Sequence, residues 1–441
     1  MHLAKGSRVA VVGLGKIGLP LAAQFASKGV EVVGCDVLPD VVESINAGRA
    51  HIHEEAGLEA AVAAAVAKGK LTATTDTSAA VATAGVVVII VPLMVTPDRA
   101  IDYRALDAAT RAVGRGLRKD TLVMYETTLP VGTTRQRLGP MLEKESGLEA
   151  GPDFQLAFSP ERLYAGRIFE DLRKYPKIVG GIDARSTDRA LEFYRSVLDA
   201  EVWPVDNAET AEFTKLAETT YRDVNIALAN QFALYASSRD VNVSQAFKAA
   251  NSQPFSHIHR PSLGVGGHCI PVYPHFLLGD ATNGELSLVR DGRETNEHMA
   301  RVGVDQLQRA MGGLDGRRVL VLGASYREDV KELAFSTAFA VVDLLRRAGA
   351  EVLVHDPLFT PAELANLEAD VVDLESDRAK TVDAIVVQAM HRDFRDIEWR
   401  SFKNLRAVLD GRGTLDAEEI REAGAAYIAI GISETRAAAP K

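Results

Sequence analysis

Cys269 lies in the run SLGVGGHCIPVYPHF, where Gly264, Gly266 and Gly267 leave almost no side chain upstream and Pro271 and Pro274 stiffen the segment downstream. Such a loop can present its thiol to a substrate, or the cysteine can pack as a structural residue; the loop alone leaves both open. A free thiol ionises near ~8.5, so an efficient nucleophile needs positive charge or hydrogen-bond donors beside it. His268 is adjacent in sequence, and Lys215 is a cation that folding can bring close. In an enzyme that oxidises alcohols, a thiol of this kind has a specific use. One oxidation gives an aldehyde, thiolate addition gives a thiohemiacetal, loss of a second hydride gives a thioester, and water releases the acid. That route calls for a cation facing the oxyanion and a carboxylate to handle water.

A second chemical signature is GLGKIG, residues 13–18. Gly13 permits the tight turn, Gly15 lets backbone approach a pyrophosphate, and Gly18 allows close helix-to-strand packing, with Lys16 and Ile17 between them. The start of the next helix supplies unpaired N–H groups to an anion. The turn comes directly after an apolar strand, and 23 positions after Gly13 comes Asp36 at the end of the next strand, where ribose hydroxyls are met. A carboxylate there repels a 2′-phosphate and so favours NAD. Cys35, inside that strand, reads as an inert small hydrophobe.

These residues need a scaffold, and the apolar pattern supplies one. Residues 8–36 form one βαβ unit, and short apolar runs recur at 86–91, 121–126, 154–160, 177–181 and 200–205. Helical stretches between them imply a mostly parallel sheet covered on both faces. The first domain is expected over residues 1–205. Residues 208–240 then form a long helical segment without glycine or proline, its apolar positions on more than one face, as for a helix at a lobe or subunit interface. A dimer through this segment is expected, within a central region 206–305 that also carries Cys269. A second strand–glycine–helix–strand–aspartate unit starts at Arg318, with Gly323 and Asp356 separated by 33 positions. It lacks GxGxxG, so it either holds a nucleotide differently or merely packs, within a third domain, 306–441. The fold class is α/β: two Rossmann-like, doubly wound parallel-sheet domains joined by a long central helix.

Composition agrees with this and excludes other classes. With 441 residues the chain is long enough for two or three domains. Acids outnumber bases 60 to 50, a net charge of −10 that offers no basic footprint for nucleic acid. The longest apolar run, 85–95, contains Pro92 and is too short for a membrane span. Glycines 13, 15 and 18 interrupt the N-terminal apolar stretch, which shows no convincing leader cleavage site. Two cysteines far apart exclude a disulfide framework or a four-cysteine zinc site, and fit reduced thiols in a cytoplasm.

Taken together, GLGKIGLPLA, ETTLPVGTT, SPERLYAGR, AEFTKLAETTYRDVNIALAN, GVGGHCIP and the stretch from VLGASYRED to VHDP occur in the order seen in one family. The chain resembles the UDP-glucose/GDP-mannose dehydrogenases, nucleotide-sugar 6-dehydrogenases, over about residues 8–435. RDVNIALAN and GGHCIP resemble the branch acting on UDP-N-acetyl-D-glucosamine and UDP-N-acetyl-D-mannosamine more than the UDP-glucose branch. The resemblance implies NAD as cofactor, a UDP-sugar as substrate and a homodimer or higher homo-oligomer. It makes Cys269 the nucleophile, Lys215 the stabiliser of negatively charged intermediates, Glu161 the general base for thioester hydrolysis, and Thr128 the holder of a catalytic water close to the cofactor. Arg162, Leu163 and Tyr164 fall where the family's loop lines the sugar nucleotide, and Arg260 falls close to its diphosphate. Asn225, Gly266, Tyr326 and Arg327 complete the implied substrate set.

Five positions depart from the family pattern. Thr219 stands for an asparagine, Tyr273 for an aspartate used in proton transfer, Ala165 for an acidic residue of the glucose branch, Ala334 for an arginine, and Arg327 for a lysine. A small residue at 165 leaves room for an N-acetyl group. The competing readings are a UDP-glucose 6-dehydrogenase, a one-step dehydrogenase of the β-hydroxyacid type that would not need Cys269, and a catalytically silent nucleotide-binding regulator.

Overall fold

The computed structural model describes residues 8–96, 99–164, 166–239, 241–282 and 284–432. Ala165 and Asp240, the last residue of the expected long helix, lie outside them. The chain divides into two units at Glu218 and Thr219. The division falls inside one helix, Ala208–Ser237.

The first unit contains β1 (Val9–Val12), β2 (Val32–Cys35), β3 (Leu71–Thr74), β4 (Val86–Ile89), a hairpin of β5 (Met94–Val95) and β6 (Ile101–Asp102), then β7 (Leu122–Tyr125), β8 (Gln155–Phe158), β9 (Lys177–Gly181) and β10 (Val202–Pro204). Outside the hairpin, these strands form one sheet in the order β10-β9-β8-β7-β4-β1-β2-β3. Every neighbouring pair is parallel except β8 and β9. β1, β4, β7, β8 and β9 are buried along their whole length, as strands covered on both faces require. β1 lies between β2 and β4, so the strand order reverses there. The carboxyl end of β1, occupied by Gly13, is therefore a topological switch point, where open α/β sheets bind ligands.

The second unit contains β11 (Arg318–Leu322), β12 (Glu351–His355), β13 (Asp370–Val371), β14 (Ala384–Val387), β15 (Ala407–Asp410) and β16 (Ala426–Ala429), in the order β13-β12-β11-β14-β15-β16 and parallel throughout. Alternation along β11 builds two cores. Val319 and Val321 pack with Val341 and Leu345 on one face, and Leu320 and Leu322 with Phe394 and Trp399 on the other. Buried polar contacts tie the helix Ser287–Met311 to the end of Ala208–Ser237 that belongs to this unit. Arg293 pairs with Asp223, and Asn296 donates to Asp223 and accepts from Asn230. Asn230 in turn accepts the backbone N–H of Ser262 at 2.9 Å, fixing the segment that leads to the glycine loop.

Candidate active site

The first strand–helix turn has the geometry that its glycines imply. Gly13 sits at φ +92, and a Cβ there would stand 2.6 Å from the Ile90 carbonyl oxygen. A Cβ on Gly18 would stand 1.8 Å from the Gly13 oxygen, whereas nothing lies within 4 Å of one built on Gly15. Backbone is thus forced tight at both ends and left open in the middle. The helix Gly18–Ser27 has no acidic side chain in its first turn to compete with an anion. Asp36 accepts the Leu14 N–H at 3.0 Å through Oδ2 and the Leu38 N–H at 3.1 Å through Oδ1. Val37 and Leu38 beside it are 86% and 58% exposed, an apolar ledge suited to a flat base. Lys16 is exposed and Ile17 packs partly into the core. These features fit NAD, whose pyrophosphate Gly13 to Gly18 would receive and whose ribose Asp36 would meet. Burial pushes the Cys35 thiol up to about 12, so it stays protonated.

The second strand–glycine unit repeats the turn but closes it. Gly323 is at φ +83, and Asp356 accepts the Ala324 N–H at 2.7 Å as Asp36 accepts that of Leu14. Asp356 is also met by the Ser325 N–H and by His391 Nε2 at 3.0 Å, and it is buried. His391 Nδ1 accepts from the Asp329 N–H, which leaves Nε2 as the donor to Asp356. The carboxylate is fully engaged by the protein's own loop.

Thr128, buried in the ETTLPVGTT loop after β7, belongs to the same unit as Lys215. That loop is fastened to the long helix by Glu212. Its carboxylate takes the backbone N–H of Gly132 and both the N–H and the hydroxyl of Thr134, the latter two at 2.8 and 2.7 Å. Lys215, one turn further along, is half-buried.

Glu161 lies after β8 in a buried charged cluster. Its Oε2 is 2.8 Å from Lys177 Nζ, and its Oε1 accepts the Arg162 N–H at 2.7 Å. Lys177 Nζ also lies 2.6 Å from Glu126 Oε2, and Tyr194 donates its hydroxyl to the other oxygen of Glu126. Side-chain exposures of 5% for Lys177, 0% for Glu126 and 11% for Glu161 put the cluster out of bulk water, with Glu161 as its outermost member. Burial opposes ionisation of Glu161, but the Lys177 charge and hydrogen bonds to it hold its carboxyl below the usual glutamate value. Glu126 goes the other way, pushed up to about 7 chiefly by burial, with the Glu161 charge adding to the effect. Sequence reasoning missed Glu126, Lys177 and Tyr194. The available signal was a lysine opening the otherwise apolar run KIVGG and a glutamate closing TLVMYE.

The loop after Glu161 is only partly directed at a ligand. Arg162 pairs with Glu218 at 2.9 Å, Leu163 packs against the core of the first unit, and the Tyr164 ring lies under the Arg167 guanidinium.

In the second unit, the glycine loop threads through a narrow gap. A Cβ on Gly266 would meet Tyr326 Cβ at 2.7 Å and the Phe335 oxygen at 2.8 Å. Gly267, at φ +96, would clash with the Tyr326 ring and donates its N–H to the Ala334 oxygen at 2.9 Å. Glycine is therefore needed for close approach, and the chain beyond it turns so that the Cys269 oxygen accepts the Val272 and Tyr273 N–H groups. Cys269 is partly exposed. The His268 ring meets Glu332 at 3.1 Å, a carboxylate partner supplied from far along the chain. Beside the loop is a cavity of about 900 Å³ lined by Arg222, Arg260, Gly266, Tyr326, Arg327 and Arg412 among others. Five arginines around one cavity, the fifth being Arg395, suit a diphosphate. Asn225 shapes one wall: its amide donates to the His257 oxygen at 2.8 Å and its oxygen accepts the His259 N–H at 3.0 Å, placing Arg260. Arg412 donates to the Tyr326 and Gln388 oxygens and so holds Tyr326 in place.

A dinucleotide turn at the switch point of a mostly parallel sheet, with a second, parallel-sheet unit bearing an arginine-lined cavity, defines an NAD-dependent dehydrogenase of phosphorylated substrates. Comparison with known proteins narrows the class. The chain belongs to the UDP-glucose/GDP-mannose dehydrogenase family: its NAD binding domain model matches residues 7–198, its central domain 209–298 and its UDP binding domain 320–417. It is a nucleotide-sugar 6-dehydrogenase that uses NAD. It is 37% identical to a UDP-N-acetyl-D-mannosamine dehydrogenase of Pyrococcus horikoshii over 92% of this chain and 96% of that one. It is 33% identical to an NDP-N-acetyl-D-galactosaminuronic acid dehydrogenase of Ralstonia nicotianae over 93% and 97%. The solved structure of the UDP-N-acetyl-D-mannosamine dehydrogenase from Pyrococcus horikoshii superposes with a TM-score of 0.87 at 34% identity, covering 96% of this chain and 99% of that one. No helix among the described residues is long and apolar enough to cross a membrane.

Proposed function

We propose that the protein oxidises the 6-hydroxymethyl group of a UDP-N-acetylhexosamine, with N-acetylmannosamine as the first candidate, to the carboxylate through a covalent intermediate on Cys269. The observation that carries this reading is the 37% identity, over nearly the full length of both chains, to a UDP-N-acetyl-D-mannosamine dehydrogenase. The galacto-configured sugar is the second reading, supported by the Ralstonia relative.

In this mechanism the arginines of the 900 Å³ cavity hold the diphosphate. Bound NAD supplies the hydride acceptor for each of two oxidations; in the first, the hydroxyl gives its proton to a water held by Thr128 as the aldehyde forms. The Cys269 thiolate adds to the aldehyde carbon, forming a C–S bond and an oxyanion that the Lys215 ammonium stabilises. Collapse of the adduct with loss of hydride leaves a thioester. Glu161 then takes a proton from a water held by Thr128, hydroxide adds to the acyl carbon, the C–S bond breaks, and the thiolate is regenerated. Tyr273 supplies no carboxylate to this scheme, so the water-handling role rests on Glu161. The chain acts as a homo-oligomer through the exposed face of Ala208–Ser237 formed by Tyr221, Leu228, Phe232 and Tyr235.

Incubation with NAD and a panel of UDP-N-acetylhexosamines and UDP-glucose, read by product mass, tests the assignment. Acid formed from an N-acetylated sugar in preference to UDP-glucose supports it. Oxidation of UDP-glucose alone overturns it.

A further inference from the structure

We infer that Lys177 is a positioning residue for thioester hydrolysis, aiming Glu161 and holding it ready as base, with Glu126 and Tyr194 fixing the lysine in turn. The inference rests on the reading of Glu161 as the hydrolytic base.

Lys177 opens β9, a strand buried along its length, and a lone ammonium in that position is costly unless paired. It is paired twice, at 2.6 Å to Glu126 and 2.8 Å to Glu161. The two partners differ in burial and in bonding. Glu126 is wholly enclosed and takes the Tyr194 hydroxyl on its second oxygen. Glu161 keeps some exposure, and its two oxygens are pinned from different directions by Lys177 Nζ and the Arg162 N–H. A carboxylate fixed in this way has one orientation, and each oxygen retains a lone pair for water. The burial that pushes Glu126 up to about 7 lets that residue carry the cluster's extra proton, which leaves Glu161 as the ionised partner.

The proton balance of the step is closed. Water gives a proton to Glu161 as the C–O bond forms and the C–S bond breaks; Glu161 returns it to solvent or to the leaving thiolate. Lys177 stays protonated throughout and gains or loses nothing. Its contribution is the orientation and charge state of its neighbour, so it acts on hydrolysis and on neither hydride transfer nor substrate binding.

That selectivity makes the inference testable by intact-protein mass after rapid mixing with NAD and the sugar nucleotide. Glu161→Gln is expected to release two hydrides per subunit and then accumulate the acyl adduct. Lys177→Met is expected to accumulate the same adduct, with deacylation slowed roughly 10- to 100-fold, the size of one lost charge-assisted hydrogen bond, so that kcat and KM fall together and kcat/KM is unchanged. Lys177→Arg is expected to restore part of the rate. Removing the lysine alone leaves two buried carboxylates, so the paired variant Lys177→Met with Glu126→Leu is made beside it. Exchanging a buried ion pair for apolar residues together is often neutral for folding. Circular dichroism establishes which variants fold, and the paired variant is expected to show the same slow deacylation. If Glu161→Gln traps the adduct while the folded lysine variants clear it at the wild-type rate, this inference is overturned and the parent mechanism stands. If Glu161→Gln traps nothing, the parent mechanism fails and this inference falls with it.

Discussion

Glu212 accepts both the backbone N–H and the hydroxyl of Thr134 from inside the long helix, one turn before Lys215. The contact fastens the loop carrying Thr128 to the helix carrying the lysine, within one unit. Burial pushes the Glu212 carboxyl up to about 7 from 4.5, against three donors that favour its charge. The native state therefore binds this proton more tightly than the unfolded chain. The stability it contributes is complete below pH 4.5 and is lost as pH rises through about 7. Glu212→Gln cannot titrate and should flatten the decline across that window by on the order of 1–3 kcal/mol. Chemical denaturation of both proteins at the two ends of the window measures this, and parallel profiles would refute it.

We propose that Asp36 sets cofactor choice. Its carboxylate accepts the Leu14 N–H and follows the second strand of the dinucleotide turn, where an acid meets ribose hydroxyls. Asp36→Ser should weaken NADH binding roughly 10- to 100-fold and abolish discrimination against NADPH. Fluorescence titration with the two reduced cofactors reads both effects; an unchanged preference would show that selectivity lies elsewhere.

Gly266 has no room for a side chain, because Tyr326 and the Phe335 carbonyl close on it. Gly266→Ala should shift the loop or Tyr326, with a cost of about 1–3 kcal/mol in stability and weaker binding of UDP. Calorimetric titration with UDP and a thermal melt test it. Wild-type values in both would mean that the gap opens freely.

Tyr221, Leu228, Phe232 and Tyr235 are 58%, 43%, 42% and 61% exposed and recur at helical spacing along one face. Charges there should prevent burial against a second copy. Leu228→Asp with Phe232→Asp is expected to lower the molar mass measured by light scattering, and an unaltered mass would place the subunit contact on another surface.

Much of this architecture was legible in the residues, and the limits of legibility are physical. The glycine turn and Asp36 announce themselves because backbone geometry demands glycine at fixed offsets, and the structure gives Gly13 and Gly18 those tight approaches. Fully buried strands such as β4 and β7 read directly as apolar runs, although the run 86–91 pairs only as Val86–Ile89 before the chain leaves the sheet. The antiparallel pairing of β8 and β9 left no mark in composition, since strand direction depends on connections. The grouping of Glu126 and Lys177 with Glu161 was hidden because the three are far apart in sequence and the first two look like ordinary strand-end charges. The meeting of His268 with Glu332 likewise depends on long-range packing, which adjacency to Cys269 could not reveal.

In the proposed mechanism one active thiol carries the sugar between two oxidations. The most direct measurement is the ratio of NADH formed to carboxylate released from a UDP-N-acetylhexosamine, in the wild type and in Cys269→Ser. Two NADH per acid are expected for the wild type, with loss of acid formation in the variant. A Cys269→Ser enzyme that still makes acid at the wild-type rate and ratio would contradict this mechanism.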